Sequence, residues 1–183
     1  MYYQDAFMAI VCSEIYSNNV LLGTPRPGHP EGTIFAHIQE LEGNLTALRP
    51  KLSESETWKL KLLIHTHDLF KGEALHGAAI NDSRSHASLA REFLSRYCPD
   101  PDLLMMVQYH DEPFALWRQY EAKGTCNQER LAALLRNIQD WNLFLAFNII
   151  DGCTAGKSRE PLQWLFQTVA GKVVTGFKVA DIL

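Results

Sequence analysis

Apolar residues along this chain recur at intervals of three and four and almost nowhere alternate. After a stretch at 23–32 (GTPRPGHPEG) whose prolines and glycines forbid regular helix, Ile34, His37, Ile38, Leu41, Leu45 and Leu48 fall on one helical face. Thr33 is placed to cap that helix and Arg49-Pro50 to end it. The next helix is predicted over 53–70, where Ser53 and Glu56 have capping-box spacing and Leu60, Leu63, Ile64 and His67 share a face. Lys71-Gly72 opens a polar connection that runs through Asn81-Asp82-Ser83-Arg84. Further helices follow over 85–97, from Pro101 or Asp102 to near His110, and from Pro113. The span 127–150 reads as one long, strongly apolar helix ending at Asp151-Gly152, and Pro161 opens a last one through Trp164 and Val169. A further helix precedes residue 23, and the tail at 172–177 (KVVTGF) has room for a short strand. The expected fold is all-α, a single-domain helical bundle over 1–183.

Composition narrows the class. With 183 residues, 46% hydrophobic and 21% charged, the chain is an ordinary globular one that can bury roughly 70% of its unfolded surface. Such a core needs no staple, so a metal here would serve chemistry rather than folding. The formal net charge of -4, without a Lys/Arg cluster, gives no support to a nucleic-acid partner. A small anionic substrate stays open, because a bound divalent ion reverses the local sign. The four cysteines, Cys12, Cys98, Cys126 and Cys153, lie far apart and suit reduced thiols. The start, MYYQDAFMAIVCSEIY, has no basic n-region and carries Asp5, and the longest apolar stretch, 143–150, is too short for a bilayer. The expectation is a cytoplasmic protein with no membrane partner; composition leaves the oligomeric state open.

Seven histidines stand at 29, 37, 65, 67, 76, 86 and 110. Any one of them on a helix face is ordinarily just a hydrogen-bonded boundary residue, so the argument rests on the set. His37 and His67 sit on the apolar faces of successive helices, and Asp68 follows His67 in a segment otherwise buried in character. A buried carboxylate is costly without a cation or a cluster of donors. Imidazole and carboxylate together suit Zn, Mn, Fe or Ni. His65 points away from His67 on a helix, which suits a structural or supporting role, and His29 and His76 fall in loops.

The order His37, His67-Asp68, Asp151 resembles the H…HD…D signature of HD-domain metal-dependent phosphohydrolases. Residues 29–37 (HPEGTIFAH) look like the entry to the first ligand helix in HD domains attached to some tRNA nucleotidyltransferases, and 62–72 (LLIHTHDLFKG) is similar to the LLHDIGKG type of motif. Residues 85–94 (SHASLAREFL) and 106–111 (MVQYHD) resemble the two further histidine segments of dinuclear HD domains, and 147–151 (FNIID) stands where that family has its last aspartate. The resemblance spans 28–156. It implies an HD-type bundle with one metal on His37, His67, Asp68 and Asp151, and with Asp68 bridging to a second on His86 and His110. The cofactor implied is a divalent transition metal (Mn, Ni, Co, Zn or Fe), one or two ions. The intervals of 30, 19, 24 and 41 residues between successive histidines and Asp151 are each long enough to change helices.

Lys71 stands where many HD proteins carry a lysine that touches substrate phosphate; a solvated helix-end lysine is the plain alternative. Arg84 could clamp a phosphate through its planar fork or be an exposed loop arginine. Glu73 is out of register with the catalytic glutamate of HD nucleotidases, which counts against that chemistry. Asp111 could support His110 and Lys157 could face an anion, though such residues are more often simply exposed to solvent. The implied activity is hydrolysis of a small phosphorylated metabolite or nucleotide by a metal-bound hydroxide, with Asp68, Lys71 and Arg84 in catalysis. Two alternatives share the ligand order: a di-iron oxygenase cleaving a C–C or C–P bond, and a metal-binding regulatory domain with little turnover.

Overall fold

In the computed structural model, which describes residues 2–25 and 30–183, most helices begin where a side chain takes up the first free N–H groups. They are α1 (Tyr2–Val11), α2 (Glu14–Asn19), α3 (Ile34–Leu48), α4 (Glu54–Thr66), α5 (His86–Ser95), α6 (Pro101–Tyr109), α7 (Glu112–Lys123), α8 (Gln128–Asn137), α9 (Trp141–Gly152) and α10 (Glu160–Val169). Thr33 accepts from the Ala36 N–H, and Ser53 with Glu56 forms both halves of a capping box. Ser85, Asp100 and Asn127 cap α5, α6 and α8, while a proline in the first turn opens α6, α7 and α10. The fold is all-α and single-domain; among the described residues there is no strand and no helix long and apolar enough to cross a membrane. His29 and residues 26–28 of the expected loop lie outside the described residues.

Helix α9 is the central rod. Phe144, Leu145, Ala146, Phe147, Ile149 and Ile150 are all fully buried, and α3, α4 and α10 pack around them. Helix α1 lies on the far side of α4, and α5 and α6 pair with each other and with α4. Tying α2, α3 and α4 together, Glu42 accepts from Lys61 Nζ at 2.6 and 2.7 Å and faces His65 Nε2 at 3.0 Å, while Tyr16 Oη lies 2.6 Å from His65 Nδ1. His65 therefore points away from His67, as helical spacing requires.

Four expectations need correction. The span 127–150 is two helices, not one. Ile138 is extended (φ −92°, ψ 121°), Asp140 caps α9 through the Leu143 N–H, and the Asp102 carboxylate accepts from the Gln139 and Asp140 N–H groups at 2.8 Å each. Those two N–H groups would otherwise continue the helix; Asp102 gives them a charged acceptor instead. The N-terminal helix is likewise divided, because Ser13 caps a new start at Glu14. The helix expected over 53–70 ends at Thr66, and the chain then tightens so that the Leu69 N–H reaches Thr66 and the Lys71 N–H reaches Asp68. The tail at 172–177 forms no strand; it is held by buried Phe177 and by the Gly176 N–H donating to Asn142 at 2.9 Å.

Burial pushes Glu42 upward, but the hydrogen bonds and charges of His65 and Lys61 more than offset it and hold its carboxyl below 4.5. A depressed folded value stabilises above the unfolded pKa and ceases to do so as pH falls through the folded one. Glu42→Gln should therefore lose about 1–2 kcal/mol at pH 7, with the partial exposure of the cluster keeping the loss small. Urea unfolding at pH 7, 4 and 3 should show the variant converging on the wild type; a pH-independent gap would contradict the assignment.

Candidate metal centre

Six residues from five helices meet at one place. His37 lies in the first turn of α3 on its buried face, and its Nδ1 faces Glu31 Oε1 at 3.0 Å. His67 and Asp68 occupy the tightened turn that ends α4; His86 opens α5, His110 closes α6, and Asp151 lies in the last turn of α9. His37, His67, Asp68 and His110 are buried, and His86 and Asp151 are partly so.

The six divide into two groups. One nitrogen or oxygen from each of His37, His67 and Asp151 lies within 4.8 Å of the others, and the same is true of Asp68, His86 and His110. Asp68 joins them. Its Oδ2 is 3.4 Å from His67 Nε2 and 3.9 Å from His37 Nε2, while its Oδ1 is 3.4 Å from His110 Nε2 and 3.9 Å from His86 Nε2. One carboxylate thus offers one oxygen to each histidine group.

Backbone carbonyls set the ring orientations. His67 Nδ1 lies 3.1 Å from the Leu63 carbonyl and 3.2 Å from that of Ile64, and His110 Nδ1 lies 2.7 Å from that of Val107. A carbonyl only accepts, so Nδ1 carries a proton and donates, which turns the Nε2 of each ring inward, as in histidines that bind metals. Burial holds the His67 ring below its ordinary pKa, against the pull of Asp68. Both aspartates stay ionised. Burial alone would raise them, but His67 and Lys71 at Asp68, and Lys157 and His37 at Asp151, keep them well below the usual carboxylate range.

The fit to a cation is visible in two atoms. His67 Nε2 and Asp68 Oδ1 are buried without a hydrogen-bond partner among the described residues, which is costly for either atom unless something coordinates it. The mixed imidazole and carboxylate set suits Zn, Mn, Fe, Co or Ni. These His/Asp groups could hold a metal ion.

The centre lies at one end of a cavity of about 480 Å³, where His110, Asp151, Lys71 and Lys157 line the wall. Lys71 Nζ donates to Asp68 Oδ2 at 2.5 Å, and Lys157 Nζ donates to Asp151 Oδ1 at 2.8 Å. Burial pulls the Lys71 pKa down, but Asp68, Asp111 and Asp151 more than offset it, so the ammonium keeps its proton.

Among the residues singled out from sequence, Arg84 is not brought to the centre. Its side chain is 67% exposed and forks onto Asp82 at 2.9 and 3.0 Å, and its own N–H binds the same carboxylate, so this short turn closes on itself. Glu73 is engaged with Asn19, away from the site. Asp111, which sequence left undecided, lies 3.2 Å from His86 Nε2 and 3.6 Å from His110 Nε2. Sequence reasoning missed Glu31 behind His37, since a contact across the Gly32-Thr33 turn has no periodic signature. It also missed Phe114 and Trp117 on the cavity wall, although an aromatic pair three residues apart just after His110-Asp111 was a usable signal.

Fold and site together define a class: an all-helical protein with two His/Asp groups, each able to hold a metal, joined by one carboxylate. No family model, curated protein or solved structure matches the chain.

If the groups act as two sites, His86 and His110 serve only the second. The double change His86→Ala with His110→Ala should lower bound Mn or Zn from two ions per chain to one, with helix content unchanged, while Asp68→Ala should abolish binding. Equilibrium dialysis with elemental analysis, and circular dichroism in parallel, would check this. A double variant that binds as many ions as the wild type removes the second site.

Proposed function

We propose that this chain is a metal-dependent phosphohydrolase of the HD type, acting on a small phosphoester or nucleotide. One observation carries the reading: the Asp68 carboxylate stands between two histidine groups, beside a cavity lined by His110, Asp151 and two paired lysines. His37, His67, Asp68 and Asp151 would hold one ion, and Asp68, His86 and His110 a second. A divalent ion bound there supplies hydroxide near neutral pH and offsets charge developing on a phosphoryl oxygen.

The chain's own residues do the rest. Lys71 and Lys157 are ammonium donors fixed by Asp68 and Asp151, so positive charge faces the cavity without reorganising during reaction. Such placement suits the non-bridging oxygens of a phosphoryl group. Water attacks phosphorus, the P–O bond to the ester oxygen breaks, and an alcohol and a phosphate leave. Arg84, turned onto Asp82, has no part in this.

The test is a screen of the Mn, Co and Ni forms against phosphomonoesters, nucleotides and cyclic nucleotides. Metal-dependent hydrolysis is expected, read as phosphate from a monoester or as nucleoside monophosphate from a cyclic nucleotide, reduced about a hundredfold in kcat by Lys71→Ala and to background by Asp68→Ala. Should every ester be inert while an iron-loaded sample consumes oxygen with a phosphonate or a polyol, the chain is an oxygenase instead.

A further inference from the structure

The cavity at the metal centre has two kinds of lining. Lys71, Asp151 and Lys157 supply its charged part. Its apolar part, where α7 meets α10, comes from Pro113, Phe114, Trp117, Pro161, Leu162 and Leu165. Phe114 and Trp117 lie one turn apart on α7, with ring centroids 5.6 Å apart and 31° between their planes. Leu162 and Leu165 are buried beneath the wall, yet Phe114 keeps 49% of its surface exposed. A phosphate group alone would leave most of the roughly 480 Å³ unfilled, since pockets of that size take whole small ligands.

Resting on the phosphohydrolase reading, we propose that the substrate is the phosphoester of a flat aromatic group, whose ring lies against Phe114 and Trp117 while its phosphate faces Lys71 and Lys157. The two rings on α7 are specificity determinants. Aromatic faces stack on one another, and the apolar wall gains from covering a flat ring. Hydroxyls placed against these rings and leucines would lose water and find no partner, so the apolar wall selects against a polyol there. The aromatic group has two possible sources, a nucleobase or a simple aryl ring. Asn148 also lines the cavity, and its amide N–H is committed to the Phe144 carbonyl at 2.8 Å. Its Oδ1 remains an acceptor for a ribose hydroxyl in the nucleotide case.

Binding and turnover are measured separately on the Mn-loaded protein. In calorimetry, naphthylmethylphosphonate should bind about tenfold or more tightly than methylphosphonate, a margin that Trp117→Ala removes and Trp117→Phe largely keeps. In turnover, 1-naphthyl phosphate and adenosine 5′-monophosphate should both outpace glycerol 1-phosphate, and in Trp117→Ala and Phe114→Ala the loss should fall mainly on KM. A preference for the nucleotide over the naphthyl ester identifies a base, and the reverse a simple aryl group. Equal binding of the two phosphonates, or naphthyl binding unmoved by Trp117→Ala, overturns the inference even if polyol phosphates are hydrolysed. Aromatic selectivity without phosphate release from any ester leaves the aromatic subsite standing and removes the phosphohydrolase reading alone.

Discussion

Asp68 is a buried carboxylate that must stay ionised, and much of the structure around it follows from that constraint. Its two oxygens face opposite ways, each toward a pair of imidazole nitrogens, and Lys71 adds a full positive charge at one of them. The helices arrange themselves to favour positive charge at this point. His67 with Asp68, His110, and Asp151 all stand at C-terminal ends, those of α4, α6 and α9, where the peptide dipoles present their negative pole. Helix ends also let side chains converge while the rods behind them diverge. Five segments can then reach one point without any helix being broken to do so.

The same economy governs the far side of the centre. The Arg159 guanidinium takes the last carbonyl of α9, that of Gly152, at 3.0 Å, and those of Cys153 and Thr154 just past the helix at 3.0 and 3.3 Å. A further bond to the Lys157 carbonyl at 2.9 Å folds the following loop back on itself. That fold returns the Lys157 ammonium to Asp151. Helix α10 is fixed at the same point, because a Cβ on Gly152 would meet Leu162 at 2.8 Å. Asp151, its lysine and the start of the apolar wall are therefore positioned by one local structure.

What could be seen in the sequence was local or periodic. The caps at Thr33 and at Ser53 with Glu56, the inward face of α3 that carries His37, and the all-helical class depend on residues within a turn or two of one another. The six histidines and aspartates that the motif resemblance grouped do come together in space, although nothing in their spacing alone required it. What escaped depended on distant partners. The break between α8 and α9 depends on Asp102, more than thirty residues earlier, so the continuous apolar pattern through 127–150 concealed it. Arg84 resembled a phosphate clamp by residue type, but Asp82 two residues before it offers a nearer carboxylate. The cavity wall carries no charge signal, and attention to titratable residues passed over Phe114 and Trp117.

Charge bookkeeping around the centre links the number of ions to the kind of substrate. Four carboxylates surround it: Glu31 behind His37, Asp68 between the groups, Asp111 beside His86, and Asp151. Among the described residues, Lys71 pairs with Asp68 and Lys157 with Asp151. Each divalent ion held between these carboxylates adds two positive charges, which makes the end of the cavity more attractive to a dianion. The two lysines alone cannot serve as the phosphate site, because each is already paired with a carboxylate. If the substrate is a phosphoester, its attraction to the centre grows with each group that is filled, and the two oxygens of Asp68 link the two groups.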